Sequence, residues 1–363
     1  MHGRRGRWLR LVLAAKKRPQ PPPYAEYLIP ISAVAFSLAI SSAILCASGV
    51  HPAYLFSSLA SALVDYSTIR YAIPLILCGV GLAIAYKAGV WNIGSEGQIL
   101  AGAAAAAGLS LYVLPKTLPP YASIAAMYVA GFAAGAGLGL IAAWLKASYN
   151  VNEVLSTLML NYIMMQLVNY LVYGPWRGLR EYGYPRSDVF PRSTWIPQIP
   201  GTTIHYPTLA LAIASAALAY LLMYRTRLGF EIRVCGANPE AARYSAISFR
   251  RVVVWVMLIS GGLAGLAGVG EVAGVYRQLI RAERVSAGFG YTAIIVAWLA
   301  NLNPAVVLAA GYFIGALISM SYKLQIASGI SYGSINVVTG LMLATLVSLE
   351  FLTRYRPVVK LVR

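Results

Sequence analysis

Apolar residues run through this chain in long stretches, and the charge-free intervals between basic and acidic residues measure them. A helix needs about 20 mostly apolar residues to cross a bilayer. The first stretch runs from about Tyr27 to Gly49, inside the interval Glu26 to Asp65, which leaves room for a re-entrant or surface piece near His51-Pro52. A second, short stretch lies between Arg70 and Lys87, and a third, rich in Ala and Gly, between Gly97 and Pro115. The intervals Lys116 to Lys146, Glu153 to Arg177, Arg192 to Arg225 and Arg251 to Glu271 enclose four more. Arg284 to Lys323 is too long for one span and is interrupted by Asn301-Leu302-Asn303-Pro304, so it divides into an eighth and a ninth. The eighth is the shortest, with about a dozen residues between Gly288 and the break. Lys323 to Glu350 holds a tenth. The pattern predicts an all-α fold, a polytopic membrane bundle of about ten transmembrane helices.

Composition supports lipid as the solvent. Of 363 residues, 59% are hydrophobic and 11% charged, whereas soluble domains carry about 25% charged residues. An even number of spans puts both termini on one side. Of the 29 Lys+Arg, seven lie in the N-terminal segment, six in the 225–251 loop and four in the C-terminal tail. Lys87 and Lys146 fall on that same side, which makes it cytoplasmic by the positive-inside rule. The expected organisation is a basic, Pro-rich cytoplasmic segment over residues 1–26, a transmembrane domain over 27–353 and a basic cytoplasmic tail over 354–363. Within the domain, residues 174–206 form a Pro- and aromatic-rich external loop, and 225–251 the only long internal one. The net charge of +18 belongs to these connections, and no basic–aromatic motif for nucleic acid accompanies it. Cys46, Cys78 and Cys235 have neither disulfide nor zinc spacing. No cofactor or metal is implied.

Three motifs stand out. Asn92-Ile93-Gly94-Ser95-Glu96-Gly97-Gln98 lies between the second and third spans. Ser95 and Gln98 have the spacing of a capping box, so a helix starts there. Glu96 is unusual, because acids near spans are costly and tend to be paired or hydrated. The segment is either a helix break lining a transport path or a cap that holds two helices in register. The second motif leads into the fifth span, where Glu153, Thr157 and Asn161 recur at i, i+4 and i+8 and share a helix face. Such a stripe lines a pore or bonds between helices. The third is Gly236-Ala237-Asn238-Pro239-Glu240-Ala241-Ala242 in the internal loop. Asn238 suits an N-cap, Pro239 the first helical position, and Glu240 the positive helix end. The short helix either meets a partner or lies on lipid headgroups.

Together these motifs resemble the permease subunits of ABC importers serving nucleosides and simple sugars, related to ribose and branched-chain amino-acid permeases. The resemblance covers roughly residues 27–355. It implies a type II importer bundle forming the path for a nucleoside or simple sugar. Asn92, Glu96, Gln98, Glu153, Thr157 and Asn161 are then candidates for the translocation path or its gate. Gly236, Asn238, Pro239, Glu240, Ala241 and Ala242 match the motif that couples to a cytoplasmic ABC ATPase. The family's usual glycine four residues after the second alanine is Ala246 here, and alanine reaches positive φ less readily. The resemblance also implies a second permease subunit in a heterodimer, an external solute-binding lipoprotein, and a multi-pass location in the plasma membrane. No phosphate-binding loop occurs in the chain, so ATP hydrolysis is assigned to the partner and the chain itself is not an enzyme. The alternatives are an ion-coupled secondary transporter of a small polar solute, which would want an acid near a span centre, and a membrane-embedded enzyme, which would want a catalytic cluster at one depth.

Overall fold

The computed structural model describes residues 53–114, 118–178 and 183–328 continuously, the strands 10–17 and 355–362, and scattered positions between 35 and 51 and between 340 and 348. Two compact units divide the chain. One comprises Met1–Ser58 with Ser321–Arg363, and the other Leu59–Met320. In the first, strands β1 (Arg10–Lys17) and β2 (Tyr355–Val362) pair antiparallel, with Arg10 opposite Val362 and Lys17 opposite Tyr355. The second is helical throughout its regular elements.

In chain order the helices are α1 (Ala53–Val64), α2 (Tyr66–Lys87), α3 (Ser95–Gly108), α4 (Pro120–Tyr149), α5 (Glu153–Tyr173), α6 (Tyr206–Arg225), α7 (Arg227–Ala237), α8 (Pro239–Tyr244), α9 (Phe249–Val269), α10 (Ala282–Ser286), α11 (Phe289–Leu299) and α12 (Pro304–Ser328). Short π-helical turns extend α3 over Leu109–Val113 and α9 over Gly270–Tyr276. Six helices among the described residues are long and apolar enough to cross a membrane: α2, α4, α5, α6, α9 with its extension, and α12. They correspond to the second, fourth, fifth, sixth, seventh and ninth expected spans. The third is α3 with its π turn. The eighth is the 11-residue α11, which at about 1.5 Å per residue reaches only halfway across a bilayer. Its break from α12 falls at the expected place, where Asn301 and Leu302 both take positive φ, 50° and 57°. The first and tenth expected spans lie largely outside the described residues.

Burial separates inner from outer helices. In the most apolar stretch of each, 83% of α2 and 72% of α9 is buried, against 33%, 22% and 28% of α4, α5 and α6. The outer helices are still apolar enough to cross a membrane although most of their residues are not buried, so their free faces suit lipid or another apolar partner. With lipid tails as apolar as leucine, helices associate through close van der Waals packing of small residues. That device is used where α3, α4 and α9 meet. A Cβ on Gly135 of α4 would collide with the Gly261 carbonyl of α9, and one on Gly102 of α3 with the Gly265 carbonyl. Backbone therefore touches backbone at the centre of the bundle.

Gly135→Leu is expected to destabilise the fold by about 3 kcal/mol or more, since neither backbone can withdraw. Gly137→Leu, whose added Cβ meets nothing within 4 Å, should leave the thermal midpoint in detergent almost unchanged.

Candidate functional site

The chain does not pass from α2 to α3 by a surface loop. After Lys87 it turns at Gly89, with φ of +76°, and re-enters the bundle without helical hydrogen bonding until Ser95. The depth follows from its contacts. Gly97 meets Asn161, eight residues into α5 and so about 12 Å along that helix. Non-helical backbone at such depth must find internal hydrogen-bond partners.

The partners are the residues singled out in the sequence. Asn161 Oδ1 accepts from the Gly97 amide at 2.8 Å, and its Nδ2 donates to the Ile93 carbonyl at 2.8 Å and to the Tyr291 hydroxyl at 3.2 Å. Thr157 Oγ1 accepts from the Ile93 amide at 3.2 Å and donates to the Glu153 carbonyl at 2.6 Å. Asn92 Oδ1 accepts from the Gly94 amide at 2.8 Å. Asn92 Nδ2 donates to Gln98 Oε1 at 3.0 Å and to Ser260 Oγ of α9 at 2.9 Å. Tyr86 closes the set by donating its hydroxyl to the Asn92 carbonyl at 2.9 Å. Asn92, Gln98, Thr157 and Asn161 are all buried. The helix starts at Ser95 as its spacing predicts, but the capping box does not form. Ser95 Oγ finds no partner among the described residues, and Gln98 turns to Asn92 instead. Asn92, two residues before the N-cap Gly94, supplies the side-chain oxygen.

Glu96 lies in the first turn of α3 and is 3% exposed. Its two carboxyl oxygens accept from the amides of Gly288, at 2.9 Å, and Gly290, at 2.8 Å. These are the opening amides of α11. The carboxyl group thus sits between two helix N-termini, where the backbone dipoles favour negative charge. The approach needs Gly290, because a Cβ there would lie 2.7 Å from the Glu96 Cα. Glu153, at the start of α5, lies apart and pairs with Lys146 at 2.9 Å. Glu271 pairs with Arg70 at 3.1 Å. Glu96, Glu153 and Glu271 therefore have separate partners and form no shared cluster among the described residues.

The internal segment folds as α7, a one-residue link and α8. Asn238 Oδ1 caps α8 by accepting from the Glu240 amide at 3.0 Å. Pro239 opens the helix, which contains Glu240, Ala241 and Ala242. Ala242 is buried, while Glu240, Arg243 and Tyr244 are exposed, Tyr244 by 93%. At the exit, the Ile247 amide bonds to the Ala242 carbonyl at 3.0 Å and the Ala246 amide to the Arg243 carbonyl at 3.1 Å. That is a Schellman cap, with Ala246 at a φ of 55°. The left-handed geometry is kept although the residue is not glycine. Gly236 rests flush on the Lys87–Ala88 peptide, where a Cβ would strike the Lys87 carbonyl.

The family model for the permease component of the branched-chain amino acid transport system matches residues 64–347. The chain belongs to this family of ABC transporter permeases. It is 32% identical to a glucose ABC transporter permease protein of Haloferax volcanii, over 92% of this chain and 90% of that one. It is 29% identical to a guanosine ABC transporter permease protein of Bacillus subtilis, over 88% of this chain and 92% of that one, and 29% identical to a nucleoside ABC transporter permease protein of Lactococcus lactis, over 80% and 83%. No solved structure matches. The permease is a multi-pass membrane subunit of an ATP-driven importer, and hydrolysis occurs on a separate ATPase subunit.

Several residues of the permease's buried network escaped the sequence reading. Ser260 had a signal, as the only hydroxyl or amide side chain in the apolar run Val252–Val269. Gly288 and Gly290 had a weaker one, two glycines flanking Phe289. Tyr86 and Tyr291 had none, being two among 25 tyrosines.

Asn161→Leu removes the partners of the Gly97 amide and the Ile93 carbonyl. Leaving a buried polar group unmet costs about 1–3 kcal/mol each, so thermal unfolding in detergent should register a loss of about 2–5 kcal/mol. Gln166→Leu on the exposed face of α5 should change stability by less than about 0.5 kcal/mol. Ala246→Gly should instead stabilise the permease by about 0.5–1 kcal/mol, as relief of left-handed strain outweighs the added chain entropy. Differential scanning fluorimetry would read it as a rise of about a degree or two.

Proposed function

We propose that the permease imports a solute built on a hydroxylated sugar ring, a nucleoside or a simple sugar, delivered from outside by a solute-binding lipoprotein. Glucose and guanosine, named for the relatives, share such a ring. A second, non-identical permease subunit completes the pore, with lipid around the outer faces of the pair. The N-terminus, the 225–251 segment and the C-terminal tail face the cytoplasm, because most Lys and Arg residues fall there.

One observation carries the coupling role. α8 is a short, fully capped helix that offers Glu240, Arg243 and Tyr244 to its surroundings, and the segment leading into it rests on the re-entrant connector through Gly236. A helix of six residues is too short to persist on its own propensity. Its caps and its exposed tyrosine suit a rigid plug held in a partner's groove, which is the place for the ABC ATPase. Gly236, Asn238, Pro239, Glu240, Ala241 and Ala242 form that plug. Asn92, Glu96, Gln98, Thr157 and Asn161 act as the gate's fixed joint rather than as solute ligands, and Glu153 ties the start of α5 to Lys146. The hydrogen-bonding capacity of the amides among them is already largely spent on backbone and on each other.

The complex of permease, second subunit and ATPase, reconstituted in liposomes with its binding protein, should accumulate labelled guanosine or glucose only when ATP is present on the ATPase side. The double variant Glu240→Lys, Ala241→Glu should abolish uptake and release ATP hydrolysis from solute control. Unchanged coupling in that variant would remove α8 from the role. Uptake driven by an ion gradient without ATP would replace the whole reading with secondary transport.

A further inference from the structure

We propose that α11 is the moving gate of the permease, carried as a rigid unit by the connector Tyr86–Gln98, and that Trp298 is the positioning residue that fixes its C-terminal end. The inference rests on the coupling role proposed for α8. It is drawn from how α11 is held.

Both ends of α11 are clamped by the same short stretch of chain. Glu96 grips the first turn through the Gly288 and Gly290 amides. At the other end Trp298 packs against Tyr86 and Trp91, with ring centroids 5.8 and 5.7 Å away, and those two rings are 5.4 Å from each other. The triangle joins the last turn of α2, the connector and the last turn of α11. Aromatic pairs at these separations hold more firmly than buried area alone accounts for. Between the clamps, Val296 lies against Gly79 of α2, where a Cβ would be 3.1 Å from a valine methyl.

The chain on either side of α11 is built to bend. Ala287 and Gly288 precede it with φ of 44° and 75°, and Asn301 and Leu302 follow it with φ of 50° and 57°. Two consecutive left-handed residues interrupt the helical hydrogen bonds at each flank, as hinge positions do. α11 is therefore fastened sideways to the connector more firmly than lengthwise to its neighbours in sequence. The connector is bonded within the bundle to Thr157, Asn161 and Ser260, and it meets the α7–α8 segment at Gly236. Gly236 lies on the Lys87–Ala88 peptide, and its Cα is 3.7 Å from the place of a Cβ on Gly89. The chain then needs two residues to reach Trp91 and seven to reach Glu96. A displacement of the α7–α8 link by the ATPase is delivered to the segment that holds both ends of α11.

The test uses the reconstituted complex with ATPase, second permease and binding protein. Trp298→Ala removes two of the three ring contacts and should lower solute uptake about tenfold, while ATP hydrolysis stays within about twofold of the unaltered complex. Trp298→Phe should restore most of the uptake. Uptake near the original level in Trp298→Ala, or uptake and hydrolysis falling in the same proportion, would overturn the proposal. A second measurement covers failure of that variant to assemble. In a chain with Cys46, Cys78 and Cys235 replaced by alanine, single cysteines at Thr292 and Leu299 are labelled with a maleimide, with and without vanadate-trapped nucleotide. Both labelling rates should shift in the same direction. A shift at one position only, or at neither, would overturn the rigid-unit assignment. Absence of ATP-driven uptake by the unaltered complex would instead sink the transport reading, and the labelling result would still decide whether α11 follows the ATPase.

Discussion

Inside a bilayer an unpaired peptide group has no water to turn to, and each one left unmet costs several kcal/mol. The permease breaks its helices inside the bundle at two places, between α2 and α3 and again before α11. Each break exposes backbone amides and carbonyls that have to be met by side chains. The first draws on Asn92, Thr157 and Asn161, and the second on Glu96. Polar residues in the spans are thus explained first by the backbone geometry they permit. A solute-binding role for the amides has to compete with hydrogen bonds already formed at 2.8–3.0 Å.

The same constraint links the network to the glycines. A side chain can reach a backbone amide across a helix interface only if the helices lie close. Gly97 allows it for Asn161, since a Cβ there would sit 2.8 Å from the Asn161 Oδ1. Gly290 does the same for Glu96. Where α3, α4 and α9 cross, the glycines bring backbones together with no hydrogen bond to gain, and packing alone holds the contact. The bundle centre is rigid for both reasons, while the outer faces of α4, α5 and α6 stay apolar and open to lipid or a second subunit.

Much of this was legible in the sequence, and the limits have physical causes. Long charge-free intervals mark helices because charge in a bilayer is costly, and α2, α4, α5, α6, α9 and α12 fall inside or around them. The pattern could not show that α11 stops halfway, because eleven apolar residues look alike whether they cross a membrane or end inside it. Glu96 gave the hint, an acid with no nearby base in sequence, but its partners are amides 192 and 194 residues away. Periodicity correctly placed Thr157 and Asn161 on one face. It could not say that the face meets a folded-back backbone, whose amides and carbonyl lie 64 and 68 residues away. The cap at Ser95 was misassigned for a related reason. The capping-box spacing is local, and it was overridden by Gln98 pairing with Asn92, a contact that only the re-entrant turn makes available. Ala246 shows the opposite balance, a local preference for glycine overridden by the closure of the α8 cap.

These energies indicate which parts of the permease stay fixed as it works. Parting Glu96 from α11 would break two hydrogen bonds to an ionisable group, each worth about 1.5–3 kcal/mol, and would leave a helix N-terminus unmet at depth. Parting Trp298 from Tyr86 and Trp91 would forfeit two ring contacts of about 0.5–1.5 kcal/mol each. Rotation in the chain flanking α11, before the clamped Gly288 amide and after Ala300, breaks neither clamp. Even the non-glycine joints at Ala287, Asn301 and Leu302 are already left-handed, so motion there can relieve strain as readily as add it. Work of a few kcal/mol done on the link at Gly236 is therefore too little to open both clamps, so the connector and α11 follow it together. The buried polar network and α11 are held as one body, so residues whose hydrogen bonds go to backbone can decide whether solute passes.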